Sequence, residues 1–346
     1  MLARAPKPRP GRSGGSVREE QFREYCAGRG FGPEQTDAHV SDVRGFEAFV
    51  TARGEALDSA GVEDMRDYLA VLVDQGLNSE ERLLALGRYS FATANYPLYV
   101  YMTGMLGGRE VVPNIAGRAA KIAGRAVRKA VFSDLRLPPL GSPQERLVEP
   151  TRRLVAGLQA RLPVEACQEV LAGNNHGIPR REFFRLRRIY RESGIDATLR
   201  FRAESLLQTL EEHARSGKPW YEQMITPEVV AFVRRNPEIQ SGVRVGTSIF
   251  VTKIPFAPDL YLKETAPKLR RYHACHCPLA RTSILEDGPA VPALWCYCSG
   301  GYEKLPFDVI FGQPVRVKVL ESALANEDRC RFEIEIPEGE ARSGLS

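Results

Sequence analysis

Residues 314–337, PVRVKVLESALANEDRCRFEIEIP, decide the fold class of the C-terminal part of this chain. Apolar and polar side chains alternate over 314–322 and again over 329–336, which is the pattern of strands with one buried face. The short polar segment Asn326, Glu327 and Asp328 separates the two arms. Because such a segment closes an antiparallel pair, this stretch predicts a β-hairpin.

Upstream of the hairpin, the pattern predicts three further strands, at 243–252, 271–277 and 293–298. The segment 299–312 between the third strand and the hairpin is helix-like, because its apolar residues recur on one side. The predicted fold class is therefore α+β: a helical N-terminal half followed by a Cys-rich α/β domain that contains an antiparallel hairpin.

The N-terminal half carries apolar residues at helical spacing, with helices expected after Thr36, over 63–75 and from Asn78 or Ser79. Four prolines within 137–150 indicate a linker. The predicted organisation is a disordered tail at 1–17, a helical domain at 18–136, a Pro-rich linker at 137–150, a helical segment at 151–240, the Cys-rich domain at 241–338 and a tail at 339–346.

The chain has 346 residues, of which 43% are hydrophobic and 26% charged. These values are ordinary for a soluble globular protein of about two domains, and they exclude a disordered chain or a coiled-coil rod. No apolar run is long enough to cross a bilayer, and the basic N-terminus lacks the apolar core of a secretory signal. We therefore expect a cytoplasmic protein without a membrane partner.

The net charge of +5 is too small to indicate a nucleic-acid partner by itself. One segment, 118–129, nevertheless predicts a helix with a basic face, which favours either phosphate contacts with DNA or an ordinary solvated surface. Its candidate nucleic-acid contacts are Arg118, Lys121, Arg125, Arg128 and Lys129.

Five of the seven cysteines lie within 275–330, which indicates metal binding or thiol chemistry in a reducing compartment. Two Cys-x-Cys pairs stand in the predicted strands, where residues two apart share a face. If the strands are neighbours, four sulfurs converge, and zinc is the expected cofactor, with iron or an iron–sulfur cluster as alternatives. The candidate metal ligands are Cys275, Cys277, Cys296, Cys298 and Cys330.

A second interpretation is nucleophilic catalysis by Cys277 or Cys298 with His276 as the neighbouring imidazole. Each cysteine precedes a predicted helix, whose N-terminal dipole favours the thiolate. Polar residues elsewhere predict a small-molecule site, and its candidate ligand-binding residues are His176, Glu222, Lys253 and Gly300.

The run CYCSGGYEKLPFDVIFGQPVRVKVLESALANEDRCRFEIEIP at 296–337 resembles the C-terminal end of the 4-vinyl-reductase (V4R) domain, a small-molecule-binding α/β domain. The resemblance implies a cysteine-containing zinc site, with Cys296 and Cys330 at two family zinc positions. Val319 and Ser322 depart from the acidic residue and the further cysteine of that family.

Three other resemblances concern larger or different parts of the chain. The motifs RYHACHCPLAR, WCYCSGGYEK and CRFEI make about 166–337 similar to a family of uncharacterised bacterial proteins. The same region is loosely similar to the cysteine-containing aminothiazoline-carboxylate hydrolases. The helices of 36–92 resemble the DNA-contacting core-binding domain of tyrosine recombinases.

These observations leave three function classes open. The first is a metal-binding sensor or regulator with a small-molecule ligand, in which the cysteine cluster makes zinc the expected metal. The second is a thiol- or metal-dependent hydrolase, and the third is a DNA-binding protein that uses the N-terminal helices. The sequence leaves the ligand and the oligomeric state undetermined.

Overall fold

The computed structural model describes residues 17–288 and 290–341. The described residues form two compact units: 17–103 together with Pro139–Ser142, and Gly104–Pro138 together with the remainder from 143 onward. The architecture is α+β, with helices through the N-terminal half and a small antiparallel sheet toward the C-terminus, which confirms the predicted fold class.

The first unit is helical. Its helices are α1 (Glu19–Gly28), α2 (Pro33–Ala52), α3 (Val62–Asp74) and α4 (Glu80–Ala92), followed by the start of α5 (Tyr96–Leu106). Ser79 caps α4 by accepting the Arg82 backbone N–H at 3.3 Å, as its position before the apolar pattern predicts. α2 begins earlier than expected, because Pro33 occupies its first turn, and Thr36 lies buried inside the helix.

The second unit contains ten further helices among the described residues. They are α6 (Val111–Ile122), α7 (Arg125–Phe132), α8 (Glu145–Gln159), α9 (Val164–Leu171), α10 (Phe184–Ser216), α11 (Pro227–Arg235), α12 (Pro258–Tyr261), α13 (Pro267–Ala274), α14 (Tyr297–Ile310) and α15 (Glu338–Ala341). The long α10 is kinked at Gly194, whose positive φ of 76° breaks the helical backbone.

Four antiparallel strands complete the second unit in the order β1-β2-β4-β3. They are β1 (Val243–Val245), β2 (Ser248–Thr252), β3 (Val317–Glu321) and β4 (Arg331–Glu335). The hairpin of β3 and β4 is confirmed, although a short 3-10 turn lies in its connection. The predicted strand 243–252 is instead the hairpin of β1 and β2, with Gly246 at a positive φ of 59° between them.

Two predicted strands are helical in the structure. Residues 271–277 mostly belong to α13, which Pro267 starts at its N-terminus, and residues 293–298 form a 3-10 turn, Ala293–Cys296, that leads into α14. Both errors have the same cause: the segments are so short that their periodicity does not separate a strand from a helix. The helix-like segment 299–312 is confirmed as the body of α14.

The core of the second unit places α14 against the sheet. Trp295, Phe307 and Phe332 are its largest fully buried side chains. A Cβ at Gly300 would lie 3.3 Å from the Val317 side chain, and one at Gly301 would lie 2.6 Å from the Gly173 backbone nitrogen. Both glycines therefore let α14 approach its neighbours closely, and this packing accounts for Gly300, which was predicted to bind a ligand.

Several predicted boundaries differ in the structure. The first sixteen residues of the predicted tail lie outside the described residues, but Val17 is buried and donates its N–H to the Glu47 side chain at 2.8 Å. The predicted linker 137–150 ends inside α8, which begins at Glu145. The boundary between the two compact units lies near residue 103 instead of in this linker. The tail predicted at 339–346 begins within α15, and 342–346 lie outside the described residues.

Among the described residues, no helix combines the length and the apolar character needed to cross a membrane.

Candidate functional site

The two Cys-x-Cys pairs do not lie on neighbouring strands, so the predicted route to their convergence is wrong. Cys275 follows the end of α13 in extended backbone, and Cys277 lies in the loop after it. Cys296 ends the 3-10 turn before α14, and Cys298 lies in the first turn of that helix. Residues two apart on a helix point to different sides, so the shared-face argument fails for this pair.

The five cysteines are nevertheless close enough to influence one another. Burial raises the pKa of the Cys275 thiol, and the charges of Cys330 and Cys277 raise it further. Burial and the same kind of repulsion, from Cys330 and Cys275, raise the pKa of Cys296 well above its usual value. The pKa of Cys298 rises to about 12, through burial and the Cys277 charge. The buried members of the cluster are therefore neutral thiols at pH 7.

A metal site requires several donor side chains grouped around one point. Within 17–288 and 290–341, no group of three or more His, Cys, Asp or Glu side chains is arranged to hold a metal ion. All seven cysteines are free thiols. The described cysteines do not form the tetrahedral set of thiolates that zinc or an iron–sulfur cluster requires. Zinc binding stays a prediction.

Cys277 differs from the other six cysteines, because it alone is not buried. Its Sγ accepts the Trp295 indole N–H at 3.1 Å. Burial raises the pKa of Cys277, while the hydrogen bonds from Trp295 and from the backbone N–H groups of Leu279 and Ala280 lower it. The site thus supplies the Trp295 N–H donor to the sulfur of a partly exposed cysteine.

A buried ammonium lies beside this sulfur. The Lys253 Nζ donates to Ser299 Oγ at 3.1 Å and lies 3.7 Å from Glu303 Oε1. The same Nζ is 4.7 Å from the centre of the Tyr302 ring. Its positive charge lowers the pKa of Cys277. The ligand-binding candidate Lys253 therefore belongs to the thiol cluster, where it favours the thiolate form of Cys277.

His276 is oriented away from a role as a base for Cys277. Its Nε2 lies 2.6 Å from the Ile254 carbonyl oxygen, and its Nδ1 lies 3.8 Å from Glu222 Oε1. Burial and the Lys253 charge lower the pKa of His276, so the imidazole is neutral at pH 7 with Nε2–H donating to the carbonyl. The structure thus places His276 beside Glu222, another ligand-binding candidate, and uses Nε2 in a hydrogen bond to the backbone.

The remaining candidates lie around α14. Cys298 Sγ accepts the Asn175 side-chain N–H at 3.5 Å, and Cys298 itself is buried. The exposed His176 ring contacts Tyr302 edge to face, with centroids 5.4 Å apart. Cys330 precedes β4, and its carbonyl accepts the Lys253 backbone N–H at 2.9 Å. Every predicted catalytic and ligand-binding residue therefore lies in the second unit.

Sequence reasoning missed Trp295, Ser299, Tyr302 and Glu303. The last three stand at i, i+3 and i+4 on α14, and this spacing places them on one helix face beside Lys253. The spacing of Ser299 and Glu303, four residues apart on one helix, was the signal that could have identified Glu303. Trp295 could not be found in this way, because its contact with Cys277 depends on a loop that was predicted to be a strand.

The basic segment is not a single helix. α6 ends at Ile122, and Gly124, with a positive φ of 91°, separates it from α7. Arg118 is bound internally, since its guanidinium donates to the backbone oxygens of Val170, at 3.1 Å, and Glu169. The other four candidates are exposed: Lys121, Arg125, Arg128 and Lys129. The shared basic face predicted over 118–129 is therefore wrong, and DNA contact by the four exposed residues stays a prediction.

Comparison with known proteins adds one similarity. Residues 257–341 match a family described as "Family of unknown function (DUF6144)". The matched region contains the five clustered cysteines as well as Trp295 and Glu303, but not Lys253 or Glu222. Neither the curated proteins nor the solved structures gave a match. The similarity to an uncharacterised family is thus supported over this segment, and the V4R resemblance is not confirmed.

Proposed function

We propose that the second unit is a thiol-dependent enzyme of the hydrolase class, with Cys277 as its nucleophile. The observation that carries the proposal is the Trp295 indole N–H donor at the sulfur of Cys277, the one cysteine that is not fully buried. Such a donor stabilises the thiolate, which is the reactive form of cysteine.

The chemistry assigned to Cys277 is acyl transfer. Its sulfur forms a bond to the carbonyl carbon of a small substrate, the bond to the leaving group breaks, and the thiol proton passes to that group. Water then hydrolyses the thioester. The Lys253 ammonium supports the first step by electrostatic attraction for the thiolate. Cys298 is less suited to this role, because it is buried and its pKa is about 12.

An activated ester tests the proposal without knowledge of the natural substrate. We expect p-nitrophenyl acetate to give a burst of p-nitrophenolate and an acetyl group on Cys277, detected by peptide mass spectrometry. The Cys277→Ser variant should lose both signals. Cys167→Ser is the matched control, since Cys167 is a buried cysteine on α9 outside the cluster. Equal bursts in the wild type and Cys277→Ser, or acetylation at another residue, would overturn the assignment.

A further inference from the structure

A cavity separate from the cysteine sulfurs lies in the second unit, between α10, α14 and the segments around Trp220 and Gln240. Its volume is about 270 Å³, which is near the small end of ligand pockets. Most of its wall is apolar or aromatic: Ile178, Phe183, Leu186, Phe201, Leu206, Trp220 and Pro306. A wall of this kind suits the apolar body of a small molecule.

Three of the polar lining residues share one feature. They are Arg202, Gln240 and Glu303, and each has one buried side-chain atom without a hydrogen-bond partner: Nη1, Oε1 and Oε1, respectively. Buried polar atoms in native proteins are nearly always hydrogen bonded, so three exceptions at one cavity require an explanation. All three are terminal atoms of side chains that line the cavity.

The rest of each side chain is held in place. Arg202 donates through Nη2 to the Gln240 backbone oxygen, and its guanidinium carbon lies 4.9 Å from the centre of the Phe307 ring. The Glu303 side chain is only 4% exposed and pairs with Lys253 at 3.7 Å. Charged groups that are fixed and desolvated in this way recognise a complementary ligand at little entropic cost.

From these groups we infer that the cavity binds a small carboxylate that also carries an N–H donor and an apolar group, as an aromatic amino acid does. The Arg202 guanidinium donates to the carboxylate, while the oxygens of Glu303 and Gln240 accept from the ammonium. Arg202 and Glu303 are the charged lining residues, and Lys253, which does not line the cavity, already offsets the charge of Glu303. The balance favours a ligand with a carboxylate over a simple amine. The apolar group packs against Phe201 and Trp220.

Isothermal titration calorimetry with three probes tests this inference on the full chain. L-Phenylalanine carries all three features, 3-phenylpropionate lacks the amine and 2-phenylethylamine lacks the carboxylate. We expect L-phenylalanine to bind most tightly and each of the other probes to bind about tenfold or more weakly, because each lacks one of the two charged groups that Arg202 and Glu303 recognise. Binding of none of the probes, or equal binding of all three, would overturn the inference.

Two variants assign the contacts. Arg202→Met should weaken L-phenylalanine binding about tenfold or more, whereas Arg200→Met, two residues away on α10 and exposed, should leave it unchanged. If Arg202→Met does not fold, the nearly isosteric Glu303→Gln still tests the site, since it should reduce the preference for L-phenylalanine over 3-phenylpropionate. An unchanged preference would contradict the assigned role of Glu303. Cys277→Ser should retain binding, so this test and that of the proposed nucleophile fail independently.

Discussion

The hydrogen bond from Trp295 to Cys277 gives the most direct test of the candidate site. Replacing Trp295 by Phe removes the indole N–H and keeps an aromatic ring in the core. A hydrogen bond to a charged group contributes about 1.5–3 kcal/mol, and about 1.4 kcal/mol corresponds to one pKa unit. Sulfur is a weak acceptor, so we take the lower end of this range and expect the pKa of Cys277 to rise by about one unit.

The assay is the pH dependence of Cys277 alkylation by iodoacetamide, followed by peptide mass spectrometry. Burial already raises the pKa of Cys277 above its usual value, so the rate should increase with pH up to a plateau that lies above that of a free cysteine. In Trp295→Phe the plateau should move to higher pH. At pH 7 the variant should therefore react about tenfold more slowly, and the two rates should converge where both thiols are ionised.

Convergence of the two alkylation rates at high pH distinguishes a change in the pKa of Cys277 from a change in core packing. Phe332→Leu is the control, because Phe332 is fully buried in the same core and has no N–H to donate. It should change the free energy of unfolding without displacing the plateau. Equal rates at pH 7 in the wild type and Trp295→Phe would refute the reasoning, as would a rate ratio that stays constant at every pH.

Three further predictions concern packing, charge and nucleic acid. Gly301→Ala should lower the melting temperature by several degrees, because its Cβ would clash with the backbone at Gly173. Gly117→Ala is the control and should leave the melting temperature unchanged, because the space around its Cβ is open. Thermal melts followed by circular dichroism measure both variants. Glu238→Gln should destabilise the protein at pH 7, because the hydrogen bond from Arg331 lowers the pKa of Glu238. The difference in unfolding free energy between variant and wild type should disappear as the pH falls through that lowered pKa. Denaturant titrations at several pH values measure this difference. If the basic residues of α6 and α7 bind DNA, their combined replacement by alanine should reduce the salt-dependent retention of the protein on duplex DNA, and unchanged retention would contradict that role. The residues replaced are Lys121, Arg125, Arg128 and Lys129.

The parts of the fold that could be predicted are those in which the local pattern is long and unambiguous. The hairpin of β3 and β4 alternates over both arms, and α4 carries its cap in Ser79. The errors at 271–277 and 293–298 come from segments of six or seven residues, where periodicity does not separate a strand from a buried helix. In the first of them Pro267 was the better signal, because proline is favoured in the first turn of a helix.

The candidate site was predictable in composition but not in geometry. The crowding of cysteines in 275–330 indicates a thiol cluster, and in the structure Cys275, Cys277 and Cys330 lie near enough for their charges to raise the pKa of neighbouring thiols. Which thiol reaches solvent and which receives N–H donors depends on the loop after α13 and on the turn before α14. Both are set by tertiary packing around Trp295, so no short-range pattern distinguishes Cys277 from Cys275.

α14 explains why the thiols and the cavity lie so close together. Its first turn carries Cys298 and Ser299, and the next turn carries Tyr302 and Glu303. Lys253 contacts three of these four residues, and Glu303 also lines the cavity. A ligand that draws Glu303 toward the cavity would weaken its pairing with Lys253, and the less compensated ammonium would then favour the Cys277 thiolate more strongly. Faster alkylation of Cys277 at pH 7 in saturating L-phenylalanine would show this coupling, and slower or unchanged alkylation would rule it out.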